Sequence, residues 1–252
     1  MVIVTPVSHL TLTVESLKTI SAYGSLEARE KPVPLGFESQ VTFFHSEYEI
    51  SMPWDNSMKT ALINKIENFE FLKGVSFHMV SRFKKYKIID GVAVGIGKPL
   101  SEECLMGHAR RNIKWLKEVF VDKIIMVENN NDLGTSAYCT VTDPNFISRI
   151  VFENDIFFLY DHAHAMISAF SRQIPFLDYF HELPIEKTKQ VHLSQPSFKN
   201  NIAKDSHNLP TLDQLNFCVE NLDKNNIAYT VEFYKSLDEL ETFLDRLKGL
   251  LK

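Results

Sequence analysis

Short apolar runs alternate with helical patterns along the chain. Eight runs are rich in β-branched or aromatic residues and are bounded by polar or turn residues, which is typical of strands buried on both faces. These runs are Val2–Val4, Leu26–Arg29, Val41–His45, Val75–Met79, Lys123–Glu128, Phe157–Asp161, Gln190–Leu193 and Ala228–Phe233. The pattern therefore predicts eight strands.

The helical patterns between the runs are clearest in the second half of the chain. They cover Ser101–Val121, Thr211–Asn225 and Leu237–Leu251. A further helix is predicted to begin at Asp143-Pro144, with aspartate as N-cap and proline in the first turn. The connection Lys31–Gly36 is short and rich in proline, so it leaves no room for a regular helix between the second and third strands.

Eight strands alternating with helices in 252 residues favour an α/β fold, the single (β/α)8 TIM barrel. An open, doubly wound sheet is the alternative. Neither an internal repeat nor a Gly/Ser-rich or Pro-rich linker divides the chain, so residues 1–252 are expected to form one domain. A barrel places its active site at the carboxyl ends of the strands, which tells us where to look for chemistry.

Composition narrows the class of protein. The chain has 27 Lys and Arg against 32 Asp and Glu, a net charge of −5, which argues against a protein that grips a nucleic-acid backbone. The three cysteines have no paired spacing, as expected in a reducing compartment. No apolar run approaches the roughly 20 residues of a membrane span, and the N-terminus does not resemble a signal peptide. We expect a cytoplasmic protein with no membrane or nucleic-acid partner.

The predicted strand ends carry residues of the metal-ligand type. Histidine, aspartate or glutamate ends or closely follows six strands in succession. The residues are His45, His78, Glu128, Asp161, His164, His192, Asp205, His207 and Glu232. Imidazole and carboxylate ligands without cysteine suit iron, zinc or manganese.

Each of these residues also has a simpler explanation when taken alone. His78 or His192 could be a hydrogen-bonded core histidine. Asp161 could be the N-cap of the helical segment that follows it, and Asp205 with His207 could form a solvated turn. Their joint placement is not explained in this way, because charged groups at the ends of apolar strands are costly unless they are paired or bind metal. The sequence therefore predicts a metal cluster.

Seven motifs in this order give the chain a family resemblance: FFHSEYEIS, GVSFHMVSRF, IIMVENNND, FLYDHAHAMISA, LDYFHELPIEKTKQVHLSQPS, KDSHNLPTLDQ and YTVEFY. Together they resemble the multinuclear non-heme iron-dependent oxidases, which include the oxidase of methanobactin biosynthesis. The resemblance spans about Val41 to Phe233. Its most specific parts are the segment Leu183–Ser194 and the D-x-H that follows.

The resemblance implies a xylose-isomerase-like TIM barrel that oxidises cysteines of a ribosomally synthesised precursor peptide. In the methanobactin-type reaction the product is an oxazolone with a thioamide. The implied cofactor is two or three iron ions in a mixed Fe(II)/Fe(III) state, with O2 as co-substrate. Family members of this type commonly work with a protein that binds the peptide leader, so a small partner protein in a heterodimer is expected.

The resemblance also implies that all nine strand-end residues are metal ligands, with Glu128, Asp161 and His192 as catalytic residues. One partition has three metals. The first lies on His45, His78 and Glu128, the second on Glu128, Asp161, His192 and Glu232, and the third on His164, Asp205 and His207. Glu128 then bridges the first two metals. Many family members have asparagine in place of His164, and the histidine resembles the methanobactin branch and favours the third metal.

Two other hypotheses remain open. The ligand order also resembles the zinc-dependent AP endonucleases, which are phosphodiesterases on the same barrel, although the flanking segments HLSQP and LPIEKTKQ resemble the oxidase. The other hypothesis is a non-catalytic binding protein on a decayed barrel, for which nine retained ligand-type residues would be unexpected.

Overall fold

Eight parallel strands close into a barrel in the computed structural model, which describes residues 2–200, 202–223 and 226–251. The barrel strands are β1 (Val2–Pro6), β2 (Ser25–Ala28), β3 (Val41–Glu49), β4 (Gly74–His78), β7 (Ile124–Glu128), β8 (Phe157–Asp161), β9 (Thr188–Leu193) and β12 (Ala228–Val231), and the remaining strands are β5 (Lys85–Ile89), β6 (Val92–Ile96), β10 (Gln195–Lys199) and β11 (Ile202–Asn208). The helices are α1 (Val14–Ser21), α2 (Asn56–Ile66), α3 (Glu102–Val119), α4 (Pro144–Glu153), α5 (His162–Arg172), α6 (Phe176–Glu182), α7 (Leu212–Asn221) and α8 (Leu237–Leu250).

The TIM barrel is confirmed, and all eight predicted runs are its strands. Neighbours in the barrel follow chain order, and β1 closes it by pairing in parallel with both β12 and β2. Several boundaries differ, and two of them concern site residues. Strand β3 runs beyond His45 to Glu49. Strand β12 ends at Val231, so Glu232 follows the strand, although its backbone N–H still donates to Leu193 O at 3.0 Å.

The predicted helix starts are also found. Ser101 and Thr211 cap α3 and α7, and the Asp143 side chain accepts from two backbone N–H groups at the start of α4. Helix α7 ends at Asn221, and the predicted end at Asn225 lies outside the described residues. As predicted, the connection from β2 to β3 holds no α-helix, only a single 3-10 turn at Glu38–Gln40.

Period-two alternation in the barrel strands puts an apolar layer directly beneath their final polar residues. Phe43, Met126 and Leu159 are buried together with Val4 and Ala228 inside the barrel. Each of the first three stands two positions before a predicted ligand, and residues two apart on a strand share a face. The polar residues at the strand ends therefore lie directly above a packed apolar layer inside the barrel. Among the described helices, none combines the length and apolarity needed to cross a bilayer.

Two antiparallel hairpins are inserted at the carboxyl ends of the barrel strands. Strands β5 and β6 pair with each other after β4, and β10 and β11 pair after β9. The run GVAVGIGKP supplies β6. Both hairpins thus lie on the side of the barrel where the sequence places the site.

Gly95 fixes the packing of the first hairpin, which gives a prediction about stability. A Cβ at this position would lie 2.3 Å from the Phe83 ring, and Phe83 is buried. We expect Gly95→Ala to destabilise the fold by about 1–3 kcal/mol and to lower Tm by roughly 2–4 °C per kcal/mol. The control is Gly107→Ala inside α3, where the nearest atom is Arg111 Nη1 at 3.5 Å, so alanine should be neutral or stabilising. Equal melting temperatures for the two variants would contradict this packing.

Candidate metal centre

All nine strand-end residues meet at the carboxyl end of the barrel. Seven of them line one cavity of about 420 Å³, namely His45, His78, Glu128, His164, Asp205, His207 and Glu232. Asp161 and His192 are fully buried and contact the members of this set. Side-chain contacts of 4.0 Å or less join the nine residues without a break.

Glu128, at the end of β7, is the centre of this group. Its Oε2 lies 2.8 Å from His78 Nδ1 and 3.5 Å from His45 Nε2. Its Oε1 lies 3.0 Å from His192 Nδ1 and 4.0 Å from His164 Nδ1. The two carboxylate oxygens therefore face different histidines, as a bridging ligand requires.

His192, at the end of β9, extends the group toward the last strand. Its Nδ1 lies 3.3 Å from Glu232 Oε1 and 3.9 Å from Asp161 Oδ2, in addition to its contact with Glu128. Glu232 in turn lies 3.4 Å from His207 Nε2 through its Oε2. The three carboxylates assigned with His192 to one predicted metal thus surround a single imidazole nitrogen.

Asp205 joins the remaining two histidines. Its Oδ2 lies 3.2 Å from His164 Nε2 and 3.3 Å from His207 Nε2. Asp205 and His207 lie on strand β11 of the second hairpin. They do not form the solvated turn that was their simpler explanation. His207 has a φ of +42°, a left-handed backbone conformation that is uncommon outside glycine and concentrates at functional sites.

Hydrogen bonds on the far side of two rings fix the nitrogen that faces the cluster. His45 Nδ1 lies 2.7 Å from Ser76 Oγ, which leaves Nε2 for Glu128. His164 Nδ1 donates to Asn129 O at 2.9 Å, which leaves Nε2 for Asp205. A second partner that sets the tautomer and orientation is typical of histidines that ligate metal.

The concentration of charge shifts several pKa values. Burial alone would lower the pKa of His192, but the nearby Glu27 and Glu128 carboxylates raise it to about 9. Burial raises the pKa of Asp161 to about 6, with Glu128 and Asp205 adding to it and His164 opposing it. Burial and the charge of His78 hold the pKa of His45 well below its usual range. Such opposed shifts within a few ångströms mark functional sites.

The donor set fits bound cations. Glu128 Oε2, Asp161 Oδ2 and Asp205 Oδ1 are buried and have no hydrogen-bond partner within the described ranges. Glu128 Oε2 is close to His78 Nδ1 but not in hydrogen-bond geometry. Buried carboxylate oxygens without donors are costly unless a cation compensates them. His45, Glu128 and His192 form one group that could hold a metal ion, and Glu128, Asp161 and His164 form another.

Asp161 is the N-cap of α5, as its simpler explanation predicted. Its Oδ1 accepts from His164 N at 2.7 Å. Its Oδ2 is left without a hydrogen-bond partner among the described residues and faces His164 and His192. The cap therefore uses one oxygen and leaves the other directed at the cluster.

Sequence reasoning missed two residues on β2 and its end, Glu27 and Arg29. Glu27 is completely buried, and its Oε2 lies 3.0 Å from His192 Nε2 and accepts from Gln190 Nε2 at 2.6 Å. Arg29 bonds Glu27 Oε1 at 2.9 Å and also pairs with Glu232. A glutamate inside an apolar run, with arginine two positions later on the same face, was the available signal.

Glu27, His192 and Glu232 also lie close enough together to hold a cation. The Arg29 guanidinium already contacts both of these glutamates. The positive charge between Glu27 and Glu232 is therefore supplied by the chain itself. Glu27 is set apart from the cluster because it faces His192 Nε2, whereas Glu128, Asp161 and Glu232 face Nδ1 on the other side of the ring.

Solved structures share the fold over nearly the whole chain. The 3-keto-D-glucoside 4-epimerase YcjR from E. coli superposes with a TM-score of 0.63 at 16% identity, covering 99% of this chain and 98% of that one. A xylose isomerase domain-containing protein from Salmonella typhimurium has a TM-score of 0.61 at 12% identity, with coverages of 98% and 96%. A D-tagatose 3-epimerase-like protein has a TM-score of 0.59 at 13% identity and full coverage of both chains. At these identities the similarity shows the fold alone, a xylose-isomerase-like barrel.

A sequence relative is the UPF0276 protein of Acaryochloris marina, which is 23% identical over 108 residues. The match covers 43% of this chain and 39% of that protein, so it spans less than half the length of either.

Residues 96–248 match the family described as RiPP precursor modification enzyme MbnB/TglH/ChrH. This stretch contains seven of the nine site residues, from Glu128 to Glu232, while His45 and His78 precede it. The match covers more than half of the chain, and the chain therefore belongs to the MbnB/TglH/ChrH family of RiPP precursor modification enzymes.

Proposed function

We propose that this protein is an iron- and O2-dependent oxidase that modifies cysteine residues of a ribosomally synthesised precursor peptide. The observation that supports it most is the unbroken group of five histidines and four carboxylates at the barrel mouth, in a chain of the RiPP modification family. Oxazolone and thioamide formation of the methanobactin type is the reaction we propose, with residues 1–252 as one cytoplasmic barrel domain.

The contacts are consistent with three metal positions. His45, His78 and Glu128 would hold the first, and Glu128, Asp161, His192 and Glu232 the second. His164, Asp205 and His207 would hold the third. Two or three iron ions in a mixed Fe(II)/Fe(III) state would supply an open coordination position for a cysteine thiolate and the electrons for O2 reduction.

The residues of the chain have distinct tasks in this proposal. Glu128 bridges two metal positions. Asp161 and His192 are the buried catalytic residues at the bottom of the cavity, where water is excluded. Arg29 offsets negative charge where two glutamates converge. The cavity of about 420 Å³ above these two residues is large enough to admit a peptide side chain and its flanking backbone.

A small partner protein in a heterodimer belongs to the same proposal. Its task would be to bind the leader part of the precursor peptide, while the barrel acts on the cysteine. The family match supports a peptide substrate, and co-purification of the two chains expressed together is the direct check on the partner.

Metal content and O2 uptake test the proposed function together. Protein purified without air should contain two or three iron ions per chain and should consume O2 when a cysteine-containing peptide is added. Tightly bound zinc, no O2 uptake and cleavage of abasic DNA would contradict the oxidase and favour the phosphodiesterase. The control peptide carries serine in place of cysteine and should cause no O2 uptake.

A further inference from the structure

The two hairpins form a second cavity beside the candidate metal centre. Tyr86 and Ile88 of the first hairpin and Asp205 and His207 of the second already line the site cavity. A neighbouring cavity of about 550 Å³ is walled by the same two hairpins, together with α5 and the loop after β7. Its lining includes Val92, Leu133, Phe170, Gln173, Ile202 and Ala203, and we call it the hairpin groove.

The register of the first hairpin separates an inner face from an outer one. Tyr86 lies opposite Gly95 and Ile88 opposite Ala93, and this inner face is directed at the site cavity. The alternate pairs are Lys85 with Ile96, Lys87 with Val94 and Ile89 with Val92. On this outer face Ile89 is 52% and Ile96 is 44% exposed, and Ile202 on the second hairpin is 68% exposed. Ile89, Val94 and Ile96 thus form an exposed apolar row along one face of the hairpin, which indicates an interaction surface.

The hairpins also concentrate positive charge in a chain whose net charge is −5. Exposed lysines occupy both of them and their flanks: Lys84, Lys85, Lys87, Lys98, Lys199 and Lys204. None of these forms an ion pair within the described ranges. Lys204 directly follows the groove residues Ile202 and Ala203, and Lys85 and Lys87 share the hairpin face that carries the groove residue Val92. Positive charge beside the groove is complementary to an acidic partner.

The first hairpin is held in a fixed position against the barrel. Tyr86 donates its hydroxyl hydrogen to Glu49 Oε1 at 2.9 Å. The Ala93 N–H donates to the Tyr138 hydroxyl at 2.7 Å, and the Thr135 hydroxyl donates to Ala93 O at 2.6 Å. A surface anchored on both strands is preorganised, so the hairpin itself loses little conformational entropy when a ligand binds.

We propose that the hairpin groove binds an extended, acidic segment of the substrate peptide, adjacent to the residue that enters the metal centre. This inference rests on the proposed function. A chain with one side chain in the site cavity continues naturally into the groove, because the same hairpins line both cavities.

Peptide binding to the metal-free protein tests this groove without relying on oxidation. The probes are two fluorescein-labelled peptides of about ten residues, which extend over roughly 33 Å. Each has one cysteine and alternating valines, with glutamate in one and lysine in the other at the remaining positions. We expect the glutamate peptide to bind and the lysine peptide not to bind. Lys87→Glu combined with Lys204→Glu should weaken binding roughly tenfold, and raising salt to about 0.5 M should reduce the difference.

The matched control is Lys18→Glu with Lys114→Glu, which changes the same total charge on the outer helices α1 and α3. This control should bind the glutamate peptide as tightly as the unaltered protein, and both double variants should melt at its Tm. An unchanged affinity in the hairpin variant would refute peptide binding in the groove. Binding of a single-stranded oligonucleotide in place of the peptide would refute it as well. If the protein takes up no iron but binds the peptide normally, the proposed oxidase function is refuted and the proposed peptide-binding groove is supported.

Discussion

We expect Glu128→Gln to abolish metal binding at both proposed positions that share this residue. Glutamine has nearly the same shape but only one oxygen, whereas Glu128 presents Oε2 to His45 and His78 and Oε1 to His192. A neutral amide can neither bridge two cations nor compensate their charge. We expect a loss of activity greater than the roughly 10–100-fold that removal of a ligand's supporting partner costs. Metal analysis and O2 uptake on the same preparation measure both effects.

Glu47→Gln is the matched control for this variant. Glu47 lines the same cavity and undergoes the same chemical change, but it makes no contact of 4 Å or less with a site histidine in the part of the chain that the structure describes. Its metal content and activity should stay at the level of the unaltered protein. Full metal occupancy in Glu128→Gln would refute the bridging assignment.

Most of the site was predictable because a parallel barrel converts sequence position into spatial position. The residue that ends each strand is brought to one rim, and the residue two positions earlier lies beneath it on the same face. Phe43 before His45 and Met126 before Glu128 show this arrangement. Recognition of the strands was therefore enough to place their final residues together.

The choice between the two histidines of the DHAH segment shows how local geometry adds to this rule. Asp161 caps α5 by accepting from His164 N, so the residue three positions on is drawn to the same side as the cap. His162 lies instead among Phe176 and Phe217, and burial lowers its pKa to about 4. The helix cap thus selects His164 for the site.

Glu27 could not be predicted in the same way, because its contact is distant in sequence, whereas the hairpins were missed although their pairing is local. The first hairpin turns at Asp90-Gly91, where both residues have positive φ, and Asp-Gly between apolar runs is a strong hairpin signal. Strand β6 alternates small and apolar residues, and only its pairing with β5 shows which face meets the site. Glu27 is separated by 165 positions from His192, and no histidine or carboxylate ends its strand β2, which is followed by Arg29. A long-range hydrogen bond of this kind leaves no periodic signal.

Glu27→Gln will weaken metal binding even though Glu27 is not among the predicted ligands. Glu27 Oε2 accepts from His192 Nε2 and Gln190 Nε2, which leaves His192 Nδ1 for the metal, and Oε1 accepts from Arg29. Glutamine keeps one acceptor oxygen for these donors and places an amide N–H against one of them, so His192 loses its fixed orientation. We expect metal affinity to fall roughly 10–100-fold, measured by competition with a chelator and by the absorption spectrum of the Co²⁺-loaded protein.

Glu49→Gln provides the comparison that separates this effect from a general loss of stability. Glu49 is also a largely buried carboxylate at the end of a barrel strand, but it accepts from Tyr86 and from the backbone of Val80 and Ser81. Its replacement should lower Tm and leave the Co²⁺ spectrum unchanged, because no ring of the cluster depends on it. If Glu27→Gln changes only Tm and binds metal as tightly as Glu49→Gln does, then His192 is oriented by the barrel backbone and Glu27 contributes packing alone.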